Sequence, residues 1–530
     1  MRETRAQRPL TDTLGAPRKP GGGAAGGARR RRPSVGDVVA GISVALVLIP
    51  QSLAYAALAG MPPERGLYAA GIPLLVAAPF ASSPYLQTGP VAITSLLTLG
   101  ALTTLAAPGS DEYVALGLLL ALVVGVARVL VGLLRAGVIA YLMSQPLLTG
   151  FIPAAAVLII ASQVPAALGA EAPTGGVIEQ AGRALSSPGG WEPTSIALSL
   201  VVVVTVFGGR RIHALFPGVL VAVAAAIAFS TLTAYRGETV GEISVGAPPL
   251  SLDLPWGELP SLLLAGVVIA LVGFAEPASI ARAFAVEDRV AWDSNREFVS
   301  QGMANVAAAF SGGFPVGGSF SRSSLNRLAG AGSAVSGAIT GLAVLAFLPF
   351  AFVLAPLPAA VLAAIVIAAV VPLVRLGPLL RLWRFSRPAF LTATATFVLT
   401  LALAPHVERA VLAGVGLAIA VHLWRELRID ASVWYEGDDL HVRPAGVLWF
   451  GPAQGLGEGL VAQLAEHPEA RRLVLHLDGL GRIDVTGALV LRTVVEEAER
   501  SGLETELVGV QEKDRRLMPL LESDRAPLEG

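Results

Sequence analysis

Apolar runs separated by short polar, glycine- or proline-bearing breaks dominate the chain: 37–59, 66–81, 89–105, 113–134, 137–165, 195–208, 216–234, 260–284, 297–311, 319–331, 333–354, 357–374, 388–404 and 407–424. A window of about 19 residues, the length a bilayer-spanning helix needs, selects them as about fourteen membrane segments in two sets of seven. The pattern predicts an all-α polytopic membrane protein. Two of the runs start abruptly. One opens on Gln87-Thr88-Gly89-Pro90-Val91-Ala92-Ile93-Thr94-Ser95, the other on Gly312-Gly313-Phe314-Pro315-Val316-Gly317-Gly318-Ser319-Phe320-Ser321-Arg322 and continues to Arg327. A helix that begins inside a bilayer exposes free N–H groups at its positive end, which lipid cannot satisfy, so both ends must line a protein-enclosed cavity. Such ends attract negative charge, and interrupted segments at matching places in two halves point to a transporter's binding site.

Seven spans used twice invert the second half against the first, giving a 7+7 arrangement with repeats at about 34–235 and 258–425. The halves echo each other elsewhere. Ile49-Pro50-Gln51 in the first segment matches Ala275-Glu276-Pro277 in the eighth, each a proline beside a polar side chain inside an apolar helix, where it kinks the helix and frees carbonyls. Arginines cluster in alternate connections (Arg135; Arg210 and Arg211; Arg282, Arg289 and Arg296; Arg375, Arg381, Arg384 and Arg387; Arg425 and Arg428), which predicts an even number of spans with both ends cytoplasmic.

Residues 1–33, rich in Gly, Ala, Pro and Arg and ending in Arg29-Arg30-Arg31-Arg32, read as a disordered cytoplasmic tail. The transmembrane region is expected over 34–427. After about Asp430 the pattern changes: Val433 to Leu448 alternates like strands, Val461 to Leu464 and Val490 to Ala498 read as helices, and Arg472 to Asp478 as a buried strand. A small cytoplasmic α/β domain of about 100 residues is expected over 430–525.

With 54% hydrophobic and only 15% charged residues, the chain is too apolar for a soluble globule of 530 residues. The absence of cysteine excludes disulfides and thiolate chemistry, and six scattered histidines have no metal-binding spacing. No Gly-x-x-x-x-Gly-Lys motif is present, which argues against ATP hydrolysis as the energy source. No catalytic residue, cofactor, metal or nucleic-acid partner is expected.

Four stretches resemble the SulP family of anion permeases, relatives of the animal sulfate, chloride and bicarbonate exchangers: Ile49 to Ala56, Pro62 to Tyr68, Gly89 to Ala92, and Gly312 to Pro315 continuing through Ser319 to Arg322. The C-terminal part resembles a STAS domain, whose Asp-Ser-Ser/Thr-Gly loop is approximated by Asp484-Val485-Thr486-Gly487. The resemblance implies core and gate subdomains, segments three and ten meeting head to head, elevator-like alternating access, a homodimer and a place in the inner membrane.

Within that frame Arg322 would back the anion at the start of segment ten, with Ser319 and Ser321 as donors around Phe320 and with Gly89, Pro90, Val91 and Ala92 opposite. The plain alternative is an arginine snorkelling from a span's end. Glu276 is a coupling group, carrying a proton or contributing to a sodium site, or else a structural ion-pair partner of Arg322. Gln51 and Tyr55, one helical turn apart, face the anion or bond the carbonyls freed by Pro50. Asn326 and Gln301 read as interhelical glue. Glu287, Asp288, Arg289, Asp293, Arg296 and Glu297 read as a solvated loop, and the Asp484 loop as a helix N-cap, since Val485 stands where soluble STAS regulators carry a hydroxyl before the phosphorylated residue that Thr486 resembles.

The expected function is secondary active transport of a small inorganic or carboxylate anion, with proton symport of a dicarboxylate as the main reading and sodium coupling less favoured. The alternatives are a sulfate or bicarbonate carrier, possibly sodium-coupled, and an anion channel or exchanger. A nucleobase permease would share the fold without the Ser-Phe-Ser-Arg opening, and a membrane sensor would show no flux.

Overall fold

The computed structural model describes residues 34–510 apart from 138–143, 172–174, 214–215, 244–245, 251–252 and 428. The expected tail at 1–33 and the end of the α/β domain at 511–525 lie outside the described residues.

Each apolar run contains a helix. The first half comprises α1 (Val35–Leu58), α2 (Pro63–Ala70), α3 (Ile72–Ala77), β1 (Thr88–Gly89), α4 (Ala92–Leu102), α5 (Asp111–Leu133), α6 (Gln145–Leu168), α7 (Val177–Ser186), α8 (Pro193–Ile212) and α9 (Gly218–Thr233). The second comprises α10 (Leu259–Glu287), α11 (Ser294–Phe310), β2 (Gly317–Gly318), α12 (Phe320–Leu328), α13 (Val335–Phe347), α14 (Ala359–Val370), α15 (Leu376–Phe385), α16 (Arg387–Ala402) and α17 (Val407–Glu426). Among the described residues seven helical stretches are long and apolar enough to cross a membrane, five of them α1, α5, α6, α10 and α17 and two the composite stretches Val335–Leu354 and Ala359–Phe385, and α4, α8, α9 and α16 hold shorter apolar helices. The second run is split at Gly71, after which Pro73 starts a new helix, and the third and tenth runs supply only half-helices because Gly and Pro delay their starts.

Helix starts follow local chemistry. Ser34 and Asp37 form a capping box on α1, and Asp37 also accepts the Gly332 and Ser333 amides at 2.8 and 2.9 Å, joining α1 to the turn before α13. Small residues let α5 and α11 approach closely: a Cβ on Gly125 would stand 2.6 Å from Val306 N, and one on Gly302 would stand 2.7 Å from Val129 N.

The expected solvated loop holds for Glu287, Arg289, Asp293 and Arg296, which are exposed, and is corrected at Glu297. Glu297 is fully buried and accepts the Ser82 and Ser83 amides at 3.1 and 2.8 Å, while Asp293 caps α11 through Asn295 and Arg296. Arg327 of α12 pairs with Glu287 and Asp288 and lies over the rings of Tyr85 and Phe284. Glu297 and Arg327 are satisfied by residues far away in sequence, which lets Glu297 keep its charge in an otherwise apolar body. Two further helices, α7 and α15, lie where connections were expected; they are short and amphipathic and so escape a span-length window.

Packing divides the chain into two compact units. Among the described residues one holds those of 34–137, 152–374 and 400–409; the other holds those of 144–151, 375–399 and 410–510. In the second unit the α/β domain comprises β3 (Asp430–Glu436), β4 (Asp439–Leu448), α18 (Phe450–Glu466), β5 (Arg472–His476), β6 (Leu480–Ile483), α19 (Val485–Arg500) and β7 (Glu504–Val508). β3 and β4 form an antiparallel hairpin that turns at Gly437, at φ +67°, and β5, β6 and β7 add in parallel. Leu440, Val442, Leu473 and Leu475 from the sheet pack with Leu456, Leu460, Leu491 and Val495 from the helices. The short strands β6 and β7 were not anticipated, β5 ends at His476, and both helices run longer than their apolar cores.

Candidate anion site

The site is built on a two-stranded ribbon. β1 and β2 pair antiparallel, Thr88 opposite Gly318 and Gly89 opposite Gly317, so the half-helices α4 and α12 start from adjoining points. The neighbouring backbone is satisfied internally: Ser319 N donates to Gln87 O at 3.0 Å, and Gln87 N donates to Ser323 Oγ at 2.9 Å. Unwound backbone at membrane depth survives only when its polar groups are paired in this way. Gly318 has no room for a side chain, because a Cβ there would meet Leu86 Cδ1 at 2.9 Å and Pro277 Cγ at 3.0 Å.

Asn305 of α11 clamps the approach to β2. Its Oδ1 accepts Val316 N at 2.9 Å and its Nδ2 donates to Val316 O at 3.0 Å. Arg128 of α5 donates to the same carbonyl from Nη1 at 2.9 Å, and Gln301 Nε2 donates to Thr88 Oγ1 at 2.7 Å. Gln301, read as interhelical glue, thus bonds the β1 strand and not a helix, while that reading of Asn326 is matched by its bond to Ser336 Oγ of α13 at 2.9 Å, beside one to Tyr85 O at 3.1 Å. Arg128 and Asn305 were not singled out from sequence. A lone arginine within the apolar run of α5 is a signal that could have flagged the first.

Val91 and Ser319 occupy the N-cap positions of the two half-helices, and neither side chain bonds a first-turn amide. Pro90 and Ala92 flank Val91, and all three are buried with Gly89. Arg322, one turn into α12, is 1% exposed. Its Nη1 reaches Gln51 Oε1 at 3.5 Å, while Nε and Nη2 have no hydrogen-bond partner among the described residues. A Cβ on Gly89 would stand 3.5 Å from Arg322 Nη2, so the guanidinium lies against the ribbon. Two donors of a buried cation thus lie beside the starts of α4 and α12, a set of groups whose chemistry suits an anion.

Gln51 and Tyr55 of α1 are both buried. Gln51 bonds Arg322 and not the kink, where Ser52 Oγ donates to Ile49 O at 2.7 Å instead. The Tyr55 hydroxyl forms no hydrogen bond among the described residues. Glu276 is half-buried and makes no direct ion pair with Arg322; its Oε1 accepts the Phe320 amide at 3.3 Å. The ring of Phe320 is itself 57% exposed. Ser319 Oγ and Ser321 Oγ lie 3.3 Å apart. Gln51, Gly89 and Arg322 are thus brought together, and Glu276 meets Phe320 at the start of the helix that carries Arg322.

In the α/β domain, Asp484 caps α19 by accepting Gly487 N at 2.7 Å, with Thr486 exposed beside it. Among the described residues no cluster of metal-ligating side chains occurs.

Comparison with known proteins places this geometry. Residues 35–396 match the Sulfate permease family, and residues 433–526 match the STAS domain. The chain is 34% identical to a probable sulfate transporter of Mycobacterium tuberculosis over 75% of its length and 72% of that protein, and 31% identical to the sodium-independent sulfate anion transporter of Bos taurus over 90% and 83%. It is 34% identical to the chloroplastic sulfate transporter 4.1 of Arabidopsis thaliana, spanning 57% of that protein's length. The fold is similar to that of the murine Solute Carrier 26 family member A9 anion transporter in the inward-facing state, with a TM-score of 0.84 at 19% identity over 97% of this chain and 95% of the other. The transmembrane domain of the cyanobacterial bicarbonate transporter BicA aligns with a TM-score of 0.64 at 25% identity, over 71% of this chain and 97% of that domain. The chain is a multi-pass membrane protein of the sulfate permease family, an anion transporter and not an enzyme, with a C-terminal STAS domain.

Proposed function

We propose that the chain carries a sulfate-class inorganic oxyanion by secondary active transport, with the anion held between the N-termini of α4 and α12. The observation that carries this reading is the pairing of β1 with β2 beside the two partnerless nitrogens of Arg322. Tetrahedral oxyanions suit donors that converge from several directions: first-turn amides, a guanidinium and hydroxyls. The names of its relatives favour sulfate over the dicarboxylate expected from sequence.

Glu276 is the coupling group in this account. As a carboxylate it occupies the Phe320 amide, and a proton weakens that hold and frees the donor for the substrate. The name of the bovine relative, a sodium-independent transporter, speaks against sodium as the coupling ion. Because α1, α4, α10 and α12 contribute to one site tied to α5 and α11 by hydrogen bonds, the site travels as a body, as an elevator-like cycle requires. Residence in the inner membrane, a cytoplasmic N-terminus and STAS domain, and a homodimer complete the proposal.

The test is uptake of labelled sulfate into proteoliposomes under an inward proton gradient, without sodium. Accumulation beyond equilibrium that is saturable and outcompeted by unlabelled sulfate more than by succinate supports the reading. Simple equilibration indicates a channel, and dependence on sodium overturns proton coupling.

A further inference from the structure

A second buried cation stands behind the site. Arg128 is 0% exposed, and its donors end on main-chain carbonyls: Nε on Ala270 O at 3.0 Å, Nη1 on Val316 O at 2.9 Å and Nη2 on Ile269 O at 3.4 Å. Among the described residues it pairs with no carboxylate. Carbonyl dipoles solvate a guanidinium without cancelling its charge, so a whole positive charge stays inside the body.

Its position is set by Gly273. A Cβ there would stand 2.6 Å from Arg128 Nη2 and 3.0 Å from Thr94 Cγ2, so the guanidinium passes between α10 and α4. The same Thr94 methyl would stand 3.5 Å from a Cβ on Gly317, which puts Arg128 one layer behind the ribbon that carries both helix ends. Of the site groups named above Arg322 is positive, Glu276 is the one carboxylate and Gln51, Tyr55, Ser319 and Ser321 are uncharged, and Arg128 behind the ribbon adds a second positive charge. With Glu276 ionised the surplus is one positive charge, which suits a monoanion. With Glu276 protonated the surplus is two, which suits a dianion.

We propose that Arg128 is a positioning residue whose fixed charge gives the site its preference for divalent over monovalent anions. Its hydrogen bonds hold Val316 and hence β2, while its charge acts on the anion through the ribbon. The inference rests on the α4–α12 anion site proposed above. A fixed charge acts twice on a dianion, so the fold-change it imposes on sulfate is the square of that on a monoanion of the same tetrahedral shape.

The experiment compares the apparent affinities of sulfate and perchlorate in the full-length protein carrying R128Q or R128K. With R128Q, sulfate binding weakens about tenfold and perchlorate binding about threefold, so the ratio falls about threefold. R128K keeps the charge and keeps the ratio near that of the wild type, even where lost carbonyl bonds weaken both anions. Equal weakening of both anions in R128Q, or the same fall in ratio in R128K, overturns the proposal. If R128Q is not recovered folded, R128M carries the test: it too removes the charge, the sulfate-to-perchlorate ratio again falls about threefold, and an unchanged ratio overturns the proposal. A wild-type protein that binds neither anion defeats the anion-site reading itself, whereas one that binds both while R128Q leaves their ratio intact defeats only the role of Arg128.

Discussion

The Glu276 carboxylate accepts the main-chain N–H of Phe320 at 3.3 Å, so the protein sets an acid of its own on the helix end that would receive the substrate. A carboxylate and an incoming oxyanion compete for that donor, and protonation decides the competition in favour of the substrate. Lowering the pH on the loading side therefore strengthens sulfate binding. Glu276→Gln is expected to abolish accumulation driven by a proton gradient while sparing counterflow of labelled sulfate. Accumulation that still follows the gradient in this variant would remove Glu276 from coupling.

Arg322 supplies the direct positive charge. Hydrogen bonds to charged groups contribute about 1.5–3 kcal/mol, so Arg322→Ala should weaken sulfate about 10- to 100-fold in uptake assays, with Arg322→Lys in between because a point charge replaces a planar fork. An unaltered apparent affinity in the alanine variant would show that the two partnerless nitrogens do not meet substrate.

Gly89 takes φ +150° in the β1 strand, a conformation that costs a side-chain-bearing residue about 1–3 kcal/mol. Gly89→Ala should lower the thermal midpoint of the detergent-purified protein and reduce transport, since strain there loosens the ribbon that aligns α4 with α12. A variant with wild-type stability and transport would show that the ribbon tolerates other geometries.

Much of this arrangement was legible in the sequence because helix breakers leave marks that no packing can erase. Gly89-Pro90 and Gly317-Gly318 interrupt apolar runs, and the structure joins those interruptions in one ribbon. Long-range satisfaction of charge left no such mark. Glu297 looks like a loop residue because the amides that bury it belong to Ser82 and Ser83, which only the tertiary fold brings near. Arg128 sits in a run so apolar that a hydropathy window absorbs it, and its carbonyl partners on α10 are invisible to local pattern. The helices α7 and α15 were lost to their short length, and the strands β6 and β7 to theirs, since four or five residues seldom show a period.

Asp484 caps α19 through Gly487 N at 2.7 Å. Asp484→Ala should cost about 0.5–2 kcal/mol of local stability and speed hydrogen exchange in the first turn of α19, with sulfate binding unaffected. Unchanged exchange in that turn would show that the cap bond contributes nothing.

The account turns on where the anion sits. Crystals of the protein grown with selenate, a heavier tetrahedral analogue of sulfate, locate the anion by its anomalous signal. The expected result is one peak between the first turns of α4 and α12, within hydrogen-bonding reach of Arg322 and displaced by excess sulfate. A peak elsewhere, or none at that place under saturating selenate, contradicts it.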